Sequence, residues 1–323
     1  MEARITEGGG LKRIGLAFVI AALAYPAMAK VAQSPASTPP DRTGSPAIQI
    51  EDVDRFYKLY DATGGHPTAE QLQRDYLDAG SSGLHHFAEA RHTTAGRIAD
   101  VIAQHPEIYS DARRCMAVLP QVRERLIIVL HKLRELYPEA RFPPVTIAVG
   151  RGRPVAIGGP EDGIQVGLEA LCSVKYFDDD VEDRFVHVIA HEYIHIQQDQ
   201  HLANDEHPTV LARSLIEGAA EFVGEMISGG VGNPGVFASV VGHETEIETD
   251  FVPDEDKTDL SKWIDNGTPE KPGDWGYWVG YRIVKSYYQH AADKQQALRE
   301  ILQMNDPKAL LAKSGWYPGV HSQ

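Results

Sequence analysis

The segment His191-Glu192-Tyr193-Ile194-His195 places two imidazoles four residues apart, with a carboxylate beside the first. On a helix, residues four apart share one face about a turn from each other, so both histidines can converge on a single ion. Glu192 sits about 100° further round the helix. That offset suits a carboxylate that exchanges protons with water without ligating the metal, the position of a general base. A second pair follows, Glu217 and Glu221, also four apart, with Glu217 22 positions after His195. The interval gives room for the first helix to end, a loop to turn at Asn204 to Pro208, and a second helix to return antiparallel. Two histidines and one glutamate leave one tetrahedral position for water, the composition of a catalytic rather than a structural zinc site. The expected chemistry is hydrolysis of peptide bonds, with zinc polarising the carbonyl and Glu192 carrying the proton to the leaving amine.

The elements that must position these residues are legible nearby. Phe185, Val188, Ile189, Ile194 and Ile196 make the first segment a mostly buried helix, and a buried histidine pair needs a partner that offsets its desolvation. Downstream, Pro208 stands at the expected first helical position, and the run to Ser228 stops at Gly229-Gly230. Glu217 and Glu221 lie there among Leu215, Ile216, Ala219, Ala220, Phe222 and Val223, where two carboxylates resist ionisation unless a cation is near. Zinc beside Glu217, with Glu221 accepting from the outer N–H of a ligand histidine, resolves that conflict. Pairing of the two carboxylates with Arg213 and solvent is the alternative.

The stretches His191 to Gln198 and Glu217 to Phe222, together with Gly276-Tyr277-Trp278-Val279-Gly280-Tyr281-Arg282, resemble the gluzincin metallopeptidases. Within that group they resemble the DUF2268 type, zinc-dependent proteases defined by a domain of unknown function. The resemblance covers roughly Ala117 to Trp316 and implies a zincin-like metallopeptidase domain over 117–316. It implies Zn2+ as cofactor, His191, His195 and Glu217 as ligands, Glu192 as base, and an acidic residue four after the ligand glutamate, supplied by Glu221. The gap from His195 is slightly longer than in the best-known gluzincins, which leaves Glu221 as the other candidate ligand. Stabilisation of the oxyanion calls for a donor. Tyr277, Tyr281 and Arg282, on a helix expected after the turn Pro272-Gly273-Asp274, are the candidates, and the resemblance does not choose among them. Tyrosines so placed also serve as core residues with a wet tip. His187, one turn before His191, reads as a neighbour of the site.

The rest of the 323-residue chain bounds the reading. Lys12 and Arg13, an apolar run from Ile14 to Tyr25, and Ala27-Met28-Ala29 give the three-part layout of a signal peptide over 1–29. No later segment is long and apolar enough to span a membrane, and no cysteine follows the apolar run to take a lipid. The expected location is periplasmic or extracellular. A flexible linker rich in Pro, Ser, Thr and Ala is expected over 30–47, and a helical N-terminal region over 48–116, with breaks at Gly64-Gly65 and Ser81-Ser82-Gly83. Val145 to Val149 and Gly163 to Leu168 read as strands, giving an α+β, mainly helical fold with a small sheet before the histidine helix. Ile164 to Leu168 is the candidate edge on which an extended peptide substrate could add. A net charge of −15 argues against nucleic acid as a partner. Cys115 and Cys172 allow a single intramolecular disulfide. Two other functional classes fit the same residues: a catalytically inactive zinc-binding or scaffolding protein of the cell envelope, and a helical export-linked protein whose motif is accidental.

Overall fold

The computed structural model describes residues 47–153, 155–161, 163–174, 178–267 and 273–320. The expected signal peptide and all but the last residue of the expected linker lie outside the described residues. The fold is α+β: mostly helical, with one four-stranded mixed sheet. Its strands are β1 (Ile48–Gln49), β2 (Val145–Ala148), β3 (Ala156–Gly159) and β4 (Gly163–Gly167), in the spatial order β1-β2-β4-β3. β1, β2 and β4 run parallel, and β3 returns antiparallel to β4.

One expectation about the sheet changes here. Every residue of β4 is buried and the strand pairs on both sides, so Ile164 to Leu168 is not an edge. The two end strands are β1 and β3, and β3 is only partly buried. Gly158-Gly159 disguises this strand as a turn, because glycine lacks the side chains whose alternation reveals a strand. A glycine is required at Gly163, where φ is +74° and a Cβ would lie 2.2 Å from the Pro144 carbonyl oxygen.

The N-terminal helices fasten to the sheet through tyrosine hydroxyls. Tyr76 donates to the Val149 carbonyl and accepts from the Val149 N–H, and Tyr109 donates to the Gly150 carbonyl. Their rings close around Phe56, which is fully buried. Burial pushes the Tyr76 hydroxyl well above the usual phenol range, so it stays protonated and able to donate. Cys115 and Cys172 form a disulfide that ties this helical region to the segment after β4.

Three helices carry the candidate site. The histidine helix, Val181–Gln197, starts at Asp180, whose side chain accepts from the Glu182 and Asp183 N–H groups. Arg125 pairs with both of those acidic residues. The glutamate helix, Val210–Ser228, is capped by Thr209 and closed by Gly229 in the left-handed conformation. Pro208 therefore precedes the cap rather than opening the helix. The tyrosine helix, Trp275–His290, crosses the glutamate helix at bare backbone. A Cβ on Gly218 would sit 2.1 Å from the Gly280 carbonyl carbon, and one on Gly280 1.7 Å from the Ser214 oxygen. Among the described residues no helix is long and apolar enough to cross a membrane.

Candidate metal centre

The histidine and glutamate helices run antiparallel. Gln198 meets Ile216, His191 meets Glu221, and His187 packs against Gly230 at the far end. This register sets Glu217 against both imidazoles. His195 Nε2 lies 3.0 Å from His191 Nε2, and Glu217 Oε2 lies 3.3 Å from the former and 3.5 Å from the latter. One atom from each of the three residues falls within 4.8 Å of the others.

Glu217 is 1% exposed, and neither of its oxygens receives a hydrogen bond. A carboxylate buried in that state is costly, so the site requires positive charge. Arg213 does not supply it by hydrogen bonding. Its Nη1 stands 3.9 Å from Glu217 Oε1, while its hydrogen bonds go to the Ala203 and Asp205 carbonyls. In the protein alone the two imidazoles are the groups beside Glu217 that can supply the charge. Burial works against a charged His191, but Glu221 and Glu217 outweigh it and hold its pKa well above the usual imidazole value. For His195, burial is likewise overcome, chiefly by Glu217. Burial would raise Glu217, but His195 and His191 hold it far below the ordinary carboxylate range. A divalent cation is the other occupant that this donor set fits, and two imidazoles with one carboxylate suit zinc.

The surrounding side chains aim the ligands. Glu221 Oε1 lies 3.2 Å from His191 Nδ1, an ion-pair distance whose angle falls outside hydrogen-bond geometry. The loop after the glutamate helix folds back onto Glu221, with Gly232 N–H at 2.7 Å and Asn233 Nδ2 at 2.6 Å. Glu221 thus stands behind His191, and Glu217 occupies the converging position. On the other imidazole, His195 Nδ1 lies 2.7 Å from Gln198 Oε1, and Gln198 Nε2 donates to the Ile216 carbonyl at 2.7 Å. The sequence signal for Gln198 is its place one turn after His195. Asn233 has no comparable signal, being twelve residues beyond its partner in a loop.

Glu192 lies outside the converging cluster and beside β3 of the sheet. A Cβ on Gly158 of β3 would lie 3.6 Å from its Oε2. Burial raises its pKa, offset in part by His195 and His191. Tyr277 stacks its ring on His191, with centroids 6.2 Å apart and planes 15° apart. Burial first, then the charge of Glu217, pushes its hydroxyl well above the usual phenol range.

The other two oxyanion candidates are directed elsewhere. Tyr281 donates to Glu225 Oε2 at 2.6 Å, two turns past Glu217, because it lies one turn further along the tyrosine helix than Tyr277. Arg282 pairs with the buried Glu248, bonds the Val320 carbonyl and covers Trp278, facing the C-terminal segment. His187 adjoins Asp178 and Asp183 and stays outside the cluster, as its reading as a neighbour requires.

Residues 243–318 match the family model described as gliding motility protein GldB (GldB_lipo). No curated protein and no solved structure matches the chain. The resemblance to DUF2268-type gluzincins is therefore corrected, and with it the classification of the chain among metalloproteases. The matched family is a different one, and it covers the very segment, Gly276 to Arg282, that had extended the resemblance. The physical reason is that His-x3-His and Glu-x3-Glu are requirements of helix geometry. They state which atoms can converge, and chains of unrelated descent can meet them. The matched segment does not contain the histidines or Glu217, yet it contains the tyrosine helix that backs them.

Proposed function

We propose that this chain is a cell-envelope protein built around a zinc ion held by His191, His195 and Glu217. The observation that carries this reading is the buried carboxylate of Glu217, without a hydrogen-bond donor, set between two imidazole nitrogens. The match to a gliding motility family supports an envelope location and a binding or scaffolding role. The matched segment presses Tyr277 onto His191 and Gly280 onto Gly218, next to Glu217, so the metal would brace the family segment against the histidine helix.

A second reading, hydrolysis of an amide bond, is favoured by the placement of Glu192. Its carboxylate lies outside the ligand set and beside β3, an end strand of the sheet, where an extended peptide could pair through its main chain. When bound, zinc would supply a Lewis acid for a carbonyl and a lowered pKa for water. Glu192 would accept a proton from the attacking water and deliver it to the leaving nitrogen. Tyr277, kept neutral by its surroundings, would donate to the developing oxyanion.

Metal analysis of the exported chain purified without chelator tests the first reading, with a peptide-library digest of the same sample testing the second. One zinc per chain, lost in His191→Ala and Glu217→Ala, is expected. Cleavage that disappears in Glu192→Gln while zinc remains would select hydrolysis, and zinc without cleavage would select binding.

A further inference from the structure

Gln198 is buried at 1% exposure, and its side-chain amide spans the two helices of the metal centre. One end faces the Ile216 carbonyl at 2.7 Å, on the residue that precedes Glu217. A carbonyl oxygen only accepts, so the amide nitrogen must be the atom that faces it. The amide oxygen then faces His195 Nδ1 at 2.7 Å, and because that oxygen also only accepts, Nδ1 must carry the hydrogen. In the neutral ring the lone pair is thereby assigned to Nε2, the atom 3.3 Å from Glu217 Oε2 and 3.0 Å from His191 Nε2. The Ile216 carbonyl thus fixes the amide, the amide fixes the tautomer, and the tautomer aims the lone pair at the converging point.

Resting on the zinc reading above, we infer that Gln198 is the positioning residue of the centre. It sets the tautomer and ring angle of His195 and locks the histidine helix to the glutamate helix in the register that brings Glu217 to the ion. The two imidazoles therefore have unlike neighbours at Nδ1, His191 the anionic Glu221 and His195 a neutral amide. Gln198 is itself fixed: its N–H bonds the Ile194 carbonyl, and Gln200 Nε2 donates to both its carbonyl and that of His195.

The test is zinc affinity by chelator competition on the full chain, comparing wild type, Gln198→Met and Gln198→Glu, with circular dichroism of the metal-free forms as the check on folding. Gln198→Met keeps the volume and removes both polar contacts, and losses of about 10–100-fold are typical for such outer partners. Gln198→Glu keeps an acceptor for His195 Nδ1–H but loses the donor to the Ile216 carbonyl, so its loss of affinity should be clearly smaller than that of Gln198→Met. Gln198→Asn, one methylene short of spanning both groups, should fall with Gln198→Met and serves if the latter does not fold. Wild-type affinity in Gln198→Met overturns the inference. Equal loss in Gln198→Met and Gln198→Glu also overturns it, because the contact to Ile216 alone would then matter. A wild type that binds no zinc sinks the reading of the site itself, and the inference with it.

Discussion

Replacing Gly218 with alanine probes the contact on which the position of Glu217 depends. A Cβ there would meet the Gly280 carbonyl carbon and the Tyr281 nitrogen, each at 2.1 Å. Both are backbone atoms, so no rotamer change relieves the overlap, and the glutamate and tyrosine helices must part by about 1 Å to reach ordinary contact. Overpacking of this kind costs about 1–3 kcal/mol, and backbone on both sides puts Gly218 at the upper end. The helix preference of alanine over glycine offsets about 1 kcal/mol, leaving a net loss of about 2 kcal/mol. At about 2–4 °C per kcal/mol for a chain of this size, the thermal midpoint should fall by about 4–8 °C. The displacement also carries Glu217 off the imidazoles, so zinc affinity should drop with stability. Gly96, which lies in the helix Ala95–Gln104 and has nothing within 4 Å of an added Cβ, is the control. Gly96→Ala should be neutral or slightly stabilising and leave zinc affinity unchanged. Gly218→Ala melting no lower than Gly96→Ala would refute the bare-backbone crossing and the positioning of Glu217 argued from it.

Other outcomes follow from the same geometry. Zinc requires unprotonated Nε2 atoms, while the metal-free centre holds His191 and His195 above the ordinary imidazole value of 6.5, so affinity should rise with pH and binding should release protons, measurable by calorimetry in buffers of different ionisation enthalpy. Without metal, those raised pKa values contribute stability below the unfolded imidazole value that is lost as pH climbs through the folded ones, so the melting gain from zinc should be larger at about pH 8 than at about pH 6. Glu217, held low, contributes stability above its unfolded value that is lost only as pH falls through its folded one, and it releases no proton to zinc near neutrality. Removing the disulfide in a Cys115→Ser, Cys172→Ser double variant, which opens a loop with a sequence separation of 57, should cost about 4 kcal/mol by chemical denaturation. Tyr281→Phe should leave zinc affinity unchanged, because its hydroxyl serves Glu225, and a loss there would show that Tyr281 acts on the centre.

The parts of this centre that were legible are those set by local geometry. His191 with His195, and Glu217 with Glu221, are i, i+4 pairs, and that spacing alone puts each pair on one helix face. The antiparallel return that joins them was legible from the loop length and the Gly229 stop. What stayed hidden depends on contacts distant in sequence. β3 becomes an end strand of the sheet because it pairs with β4 alone, and no residue in Ala156–Gly159 announces that. Tyr277 and Tyr281 share a helix face, but one turn of rise decides that the first reaches His191 and the second Glu225. Arg282 is claimed by Glu248, which is fully buried and would lose its cationic partner if Arg282 turned toward the site. The family match of residues 243–318 was the least legible of all, since four side chains at helical spacing record a chemical requirement and not a lineage.

Counting zinc on the chain and on its Glu217→Gln variant, which keeps the shape of the side chain and removes its charge, tests whether Glu217 and the two imidazoles hold the ion. One zinc per wild-type chain and a large fall in occupancy in the variant at equal free zinc are expected. Wild-type chain without zinc, or equal occupancy in the two, would contradict that ligand set.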